Sequence, residues 1–268
     1  MYNKPVLLRE SIKGLAIQPS GIYVDATFGG GGHSKAILDH LNEGQLIAFD
    51  QDEDSRNNLI KDERFMLINA NYRYIKNFLR YHGSIPVDGI LADLGISSHQ
   101  IDTPGRGFST RFDGELDLRM DKHNPLSARS IINQYSEKQL KDIFSWYGEI
   151  NNASRLSAMI VEQRRHGMIN TTQDLREIIV PLAQKGKDHQ YLAKVFQALR
   201  IEVNQELEAL KEFLIKSTEV LKQGGRLVVI AYHSLEDRLV KNFLRSGNFE
   251  GNLEKDFFGN VETPFRLI

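Results

Sequence analysis

The chain has 268 residues, 41% of them apolar and 26% charged, a balance that allows a sizeable core and excludes wholesale disorder. Basic and acidic side chains number 34 and 35, so the net charge of −1 points to no particular partner. The sequence has no cysteine, which excludes disulfides, thiolate metal sites and cysteine nucleophiles, and no apolar run reaches the ~18 residues of a membrane span.

The opening residues Met1-Tyr2-Asn3-Lys4-Pro5 lack a hydrophobic leader, so the expectation is a soluble, cytoplasmic protein. Residues 22–28 read as an apolar strand that runs into Gly29, Gly30, Gly31 and Gly32. A helical pattern of Ala36, Ile37, His40 and Leu41 starts just beyond. Residues 45–50 form a second strand ending in Asp50, 65–69 a third, and 87–94 a fourth, with helical patterns between them. Such alternation predicts βαβ units and a mainly parallel sheet.

The alternation then stops. From about Asp102 to Arg200 the pattern is helical throughout, opened by a loop at Pro104-Gly105-Arg106-Gly107. Ser136 with Gln139, and Thr171 with Asp174, have the spacing of helix capping boxes ahead of apolar periodicity. A long amphipathic helix (Leu207, Leu210, Phe213, Leu214, Leu221) follows, and strand character returns at residues 226–232. The economical reading is one α/β domain, residues 1–101 and 201–268, interrupted by a helical insertion at 102–200. Between Asn151 and Arg200 there are eight Lys/Arg against four Asp/Glu, a local +4 that suggests a polyanionic partner.

Two constellations carry chemistry. Glycines after the first strand let the backbone turn sharply and approach a ligand with no Cβ in the way. An acidic strand end ~20 residues further on is how a doubly wound sheet accepts hydrogen bonds from ribose hydroxyls, and Asp50 stands there. The second constellation, Asp93-Leu94-Gly95-Ile96-Ser97-Ser98-His99-Gln100, follows the fourth strand. Ligands of open α/β sheets sit outside the carboxyl ends of the strands, so the glycine turn, Asp50 and Asp93 should share one crevice. Without cysteines or a His pair at ligand spacing, no metal is expected.

These stretches resemble the bacterial 16S rRNA cytosine-N4 methyltransferase family, in order along nearly the whole chain. The similarity lies in Pro5-Val6-Leu7-Leu8, Asp25-Ala26-Thr27-Phe28-Gly29 with Gly31-Gly32-His33-Ser34, and Asp88-Gly89-Ile90-Leu91 with Asp93-Leu94-Gly95. It continues in Arg106-Gly107-Phe108-Ser109, Leu116-Asp117-Leu118-Arg119-Met120-Asp121, Phe196-Gln197-Ala198-Leu199-Arg200-Ile201 and His233-Ser234-Leu235-Glu236-Asp237-Arg238. The chain departs from the family where Asn3 replaces a His and Tyr191-Leu192-Ala193-Lys194 replaces Pro-Ala-Thr-Arg. The family also generally continues beyond Ile268 into an Arg-rich tail, on which RNA affinity and completion of the sheet edge are expected to depend.

The resemblance implies a class I, Rossmann-like methyltransferase domain with a helical insertion that recognises RNA. It implies S-adenosylmethionine as cofactor and 16S rRNA of the small ribosomal subunit, in its decoding region, as partner. No membrane is implied, and a homodimer stays open. Cofactor contacts would come from Gly31, Gly32 and His33 near the methionine end, Asp50 at the ribose, Tyr72 near the adenine, and Asp93 and Gln100 closing the site. Asp93, with the carbonyl of Leu94, would be the catalytic acceptor for the cytosine amine. Phe108, Tyr232 or His233 would supply an aromatic platform for the base. Arg164 and Arg165 end a helical pattern, and at least one should face solvent and meet rRNA phosphate. Two other readings remain from the residues alone. One is a nicotinamide dehydrogenase, although Ser34 stands where its fingerprint wants Gly or Ala; the other is a non-catalytic RNA-binding module.

Overall fold

The structure, a computed structural model, describes residues 5–253 and 263–268. Asn3 lies outside the described residues. The chain divides into two compact units, one formed by residues 1–95 and 207–268, the other by residues 96–206.

In the first unit five parallel strands lie in the order β3-β2-β1-β4-β5. They are β1 (Ile22–Asp25), β2 (Gln45–Phe49), β3 (Phe65–Ile68), β4 (Val87–Asp93) and β5 (Leu221–Ile230). Side chains alternate across a strand, and the register shows where each set goes. Tyr23, Leu46, Leu91 and Val228 point to one face, with α1 (Leu8–Leu15) and α2 (Gly32–Leu38) over it. Val24, Ile47, Ile90, Leu227 and Val229 point to the other. That face is covered by α3 (Ile75–Tyr81), the long helix Glu206–Val220 and the helix Ser234–Ser246, through Leu79, Phe213 and Phe243. Both faces are therefore apolar, which is why these strands read as continuous hydrophobic runs.

β5 begins earlier than its sequence suggests. Leu221 pairs with Val87 and Arg226 with Gly89, so residues 222–225 loop out of the ladder before the apolar run resumes. Gly224 makes this possible at φ 81°, and a Cβ on Gly225 would meet the Lys222 carbonyl at 2.9 Å. Conversely α2 stops at Leu38, short of the expected His40 and Leu41.

The second unit is helical: α4 (Ser98–Asp102), α5 (Ala128–Gln134), α6 (Glu137–Trp146), α7 (Ala153–Gln163), α8 (Thr172–Ile179) and α9 (Asp188–Asn204). Among the described residues its extended pairing is one isolated bridge, Glu115 with Thr171. The capping boxes at Ser136/Gln139 and Thr171/Asp174 both form. Leu140, Phe144, Leu156, Ile160, Leu175 and Leu199 build one core. The unit's limits fall at Ile96 and Glu206 rather than at 102 and 200. Ile96 packs on the helical core, and α9 runs unbroken to Asn204. Asn204 fixes that end: its Oδ1 accepts from the Met120 N–H at 2.7 Å and its Nδ2 donates to the Leu118 carbonyl at 2.8 Å.

Several arginines of this unit are held within it. The buried Arg106 donates to the carbonyls of Arg119 and Met120 at 2.9 and 3.1 Å. Arg164 donates to those of Ile132 and Tyr135 at 2.9 and 2.7 Å. Arg165 is the solvent-facing member of its pair and meets the equally exposed Glu162 at 2.6 Å.

Candidate active site at the carboxyl edge of the sheet

The glycine turn is held from three sides. Phe28 N–H donates to the Phe49 carbonyl at 2.9 Å and Ala26 N–H to the Leu91 carbonyl at 2.8 Å, continuing the ladders past the end of β1. Gly31 adopts φ 74° as the residue before α2, and a Cβ there would lie 3.0 Å from the Phe28 ring. A Cβ on Gly32 would lie 2.3 Å from Pro5, so at this position glycine is required by packing. Beneath the turn Asp25 is buried, accepting from the Ser34 hydroxyl at 2.6 Å and the Thr27 N–H at 3.1 Å. Burial raises its pKa.

Asp50 follows β2. Its Oδ2 accepts the Gly29 N–H at 2.7 Å and its Oδ1 the Asp52 N–H at 2.8 Å, so one carboxylate ties the glycine turn to the next loop. Burial pushes its pKa up to about 7 despite both hydrogen bonds. Each oxygen keeps a lone pair for a hydroxyl donor. Three amides that sequence reasoning missed brace this corner: Asn58 donates to the Gly29 carbonyl at 3.0 Å, Asn69 to the Asp50 carbonyl at 2.8 Å, and Asn71 to Gln51 at 2.7 Å. Tyr72, next along, sets its half-buried ring edge-on to Phe213 at 5.1 Å.

Asp93 ends β4. Its N–H donates to the Thr27 hydroxyl at 2.7 Å, locking it beside the glycine turn. Its Oδ1 accepts from the Tyr232 hydroxyl at 2.8 Å, and its Oδ2 lies 3.7 Å from His33 Nδ1. His33 is buried, with Nε2 3.1 Å from the Val6 carbonyl; that contact assigns the proton to Nε2 in the neutral ring and leaves Nδ1 facing Asp93. Burial raises the Asp93 pKa, and the Tyr232 phenol pulls the other way. Tyr232 is 54% exposed, and its ring passes over Gly95, whose own Cβ would lie 3.5 Å away. Its pKa is raised by burial of the phenol and by the adjoining carboxylate. A carboxylate of raised basicity with an exposed aromatic ring at its side can accept a proton from a group laid against that ring.

The three platform candidates thus separate. His233 caps the helix Ser234–Ser246, 3.4 Å from the Glu236 N–H, with Nε2 3.2 Å from the buried Glu236. Phe108 is buried in the helical core beneath Arg106. Tyr232 is the exposed ring that reaches Asp93. The sheet unit therefore brings together Gly31, Gly32, His33, Asp50 and Asp93, with Tyr72 following β3. Gln100 belongs to the helical unit, where it is buried rather than an exposed loop amide. Its Oε1 accepts the Ser97 N–H at 3.0 Å and its own N–H donates to Ser97 Oγ at 3.2 Å, a capping box that the Ser-x-x-Gln spacing encodes.

Sheet order, glycine turn and paired acidic strand ends together define a Rossmann-like α/β domain of the kind that receives a nucleoside. Residues 1–257 match the model of the MraW methylase family, and the chain belongs to that family. A protein of Christiangramia forsetii named ribosomal RNA small subunit methyltransferase H is 55% identical over 268 residues, which is all of this chain and 89% of that one. Its namesake in Flavobacterium psychrophilum is 58% identical over 263 residues, 98% of this chain and 90% of the other. A third, from Bacteroides thetaiotaomicron, is 56% identical over all of this chain and 88% of its own length. Family membership decides against the dehydrogenase reading.

Proposed function

We propose that this chain transfers a methyl group from S-adenosylmethionine to the exocyclic N4 of a cytidine in the decoding region of 16S rRNA. The observation that carries the reading is Asp93 at the end of β4, basic through burial and fixed by the Tyr232 hydroxyl at 2.8 Å.

The donor set fits a nucleoside-bearing cofactor. Asp50 offers a carboxylate with free lone pairs to ribose hydroxyls, and Tyr72 offers a half-buried ring to adenine. Gly31 and Gly32, which tolerate no side chain, would let the methionine end approach the backbone with His33 beside it. Gln100 would close the site. When bound, S-adenosylmethionine supplies an electrophilic methyl group on its sulfonium.

The cytosine amine is a weak nucleophile because its lone pair is delocalised into the ring. Asp93 and the Leu94 carbonyl would accept its two N–H bonds and draw density onto nitrogen as it pyramidalises, an interaction strongest in the transition state. Tyr232 would hold Asp93 in that orientation and present its ring to the base. The N4 cation left by transfer is acidic and releases its proton to Asp93 or water, so no further general base is needed. The helical unit, with its local excess of positive charge, would meet the rRNA.

Small ribosomal subunits lacking the modification, incubated with the chain and labelled S-adenosylmethionine, test the reading. Label on N4 of a single 16S cytidine is expected. Label on another atom or another RNA would overturn the N4 assignment, and no incorporation would leave the non-catalytic reading.

A further inference from the structure

Several arginines of the helical unit are already committed within it. Arg106, Arg119 and Arg164 donate to backbone carbonyls, while Arg165 and Arg200 pair with Glu162 and Glu206. Like Arg129, Arg111 and Arg176 have no hydrogen-bonded or ion-paired partner on the guanidinium among the described residues, but these two lie together. Both line the same concavity. Leu192 and Phe196, both buried, form part of its lining, and Phe112, 50% exposed, is another part.

The segment carrying Arg111 and Phe112 is pinned in place. Thr172 Oγ1 donates to the Phe112 carbonyl at 3.1 Å and accepts the Gly114 N–H at 3.1 Å. Asp113 Oδ1 accepts the Gln173 N–H at 3.1 Å, so the acid in the lining is committed to the first turn of α8. Arg176 stands one turn further along that helix. Two unpartnered guanidiniums and an exposed ring are thus presented from a preformed corner.

From this juxtaposition we infer that the concavity is a binding site for a single-stranded RNA nucleotide, with phosphate on Arg111 and Arg176 and the base against Phe112. The inference rests on the rRNA substrate proposed above. Arginine forks match phosphate oxygens, and aromatic rings hold unpaired bases by stacking.

Binding of small ribosomal subunits lacking the modification, measured against salt concentration, tests the inference. Arg111→Ala with Arg176→Ala should weaken binding at least tenfold at low salt. It should also flatten the slope of log affinity against log salt by about 0.7 per lost single-strand phosphate contact. Arg111→Lys with Arg176→Lys should restore the slope, and Phe112→Ala should weaken binding at an unchanged slope. If the alanine pair does not fold, Arg111→Gln and Arg176→Gln made singly should each lower the slope. Variants that bind with the parent's affinity and slope overturn the inference. Methyl transfer by the parent to the same particles reports on the rRNA reading separately: transfer with unaltered binding by the variants removes this site alone, and a parent that neither binds nor methylates removes both.

Discussion

Asp25, Asp50 and Asp93 in the sheet unit, and Arg106, Arg119 and Arg164 in the helical unit, are all charged groups drawn partly or wholly out of solvent, yet they are partnered in opposite ways. Asp25 and Asp50 accept N–H and O–H bonds from the glycine turn and the start of α2, Asp93 accepts the Tyr232 hydroxyl, and burial still raises the pKa of all three. The arginines donate to carbonyls of irregular segments inside their own unit, Arg119 to Lys122 and Asn124 at 3.0 Å each. Asp50 and Asp93 keep acceptor capacity at the carboxyl edge of the sheet, whereas these arginines are consumed by the fold. A charge counted along a sequence therefore says little until its partners are known, and Arg164 and Arg165 are the sharpest case.

Those neighbours should separate cleanly in stability. Arg164→Ala removes charge-assisted donors from two carbonyls and should cost about 3 kcal/mol, whereas Arg165→Ala breaks an exposed pair worth roughly 0–1 kcal/mol. Denaturant midpoints on both variants check this, and equal losses would dissolve the distinction. In the sheet unit Asp50→Ala should weaken S-adenosylmethionine binding by about 1.5–3 kcal/mol, the scale of charge-assisted hydrogen bonds. Calorimetry that finds unchanged affinity in a folded variant would remove Asp50 as the ribose ligand.

Tyr232→Phe keeps the ring and removes the hydroxyl donated to Asp93. Methyl transfer should fall about tenfold, the equivalent of 1.4 kcal/mol, with donor affinity unaltered. An unchanged rate would mean that the ring alone matters. The raised pKa of Asp50 gives a subtler signature. Its folded pKa of about 7 lies above the ~3.9 of an unfolded Asp, so the folded state holds the extra proton between those values. The stability it contributes is present below about pH 4 and is lost as pH rises toward 7. Melting temperatures of parent and Asp50→Asn across that window should diverge, the parent losing ground as pH rises. Parallel curves would show that the carboxyl is not perturbed.

Much of the sheet unit is legible in the sequence because its signals are local. Apolar runs, the glycine turn and the acidic end of β2 lie within short stretches, and each stands where its pattern puts it. What escaped notice depends on long separations. Tyr232 and Asp93 are 139 residues apart, and Asn58 reaches Gly29 across 29, so no spacing rule reveals either contact. The start of β5 was hidden by residues 222–225, whose polar, glycine-rich character reads as a turn although strand pairing flanks them. The Ser97-Ser98-His99-Gln100 spacing is by contrast local, and it encodes the cap that holds Gln100. The limit at Glu206 lies beyond Arg200 because helix α9 carries its periodicity to Asn204 with no breaker before it.

In the proposed reaction the two acidic strand ends would do different work: Asp50 would hold the cofactor, and Asp93 would stabilise the transition state for the amine. Single-turnover methyl transfer by Asp93→Ala at saturating S-adenosylmethionine separates these roles. A rate per bound cofactor at least about a hundredfold below the parent's, beyond any loss of cofactor affinity, is predicted. A rate per bound cofactor equal to the parent's would make Asp93 a binding residue only and contradict the central claim.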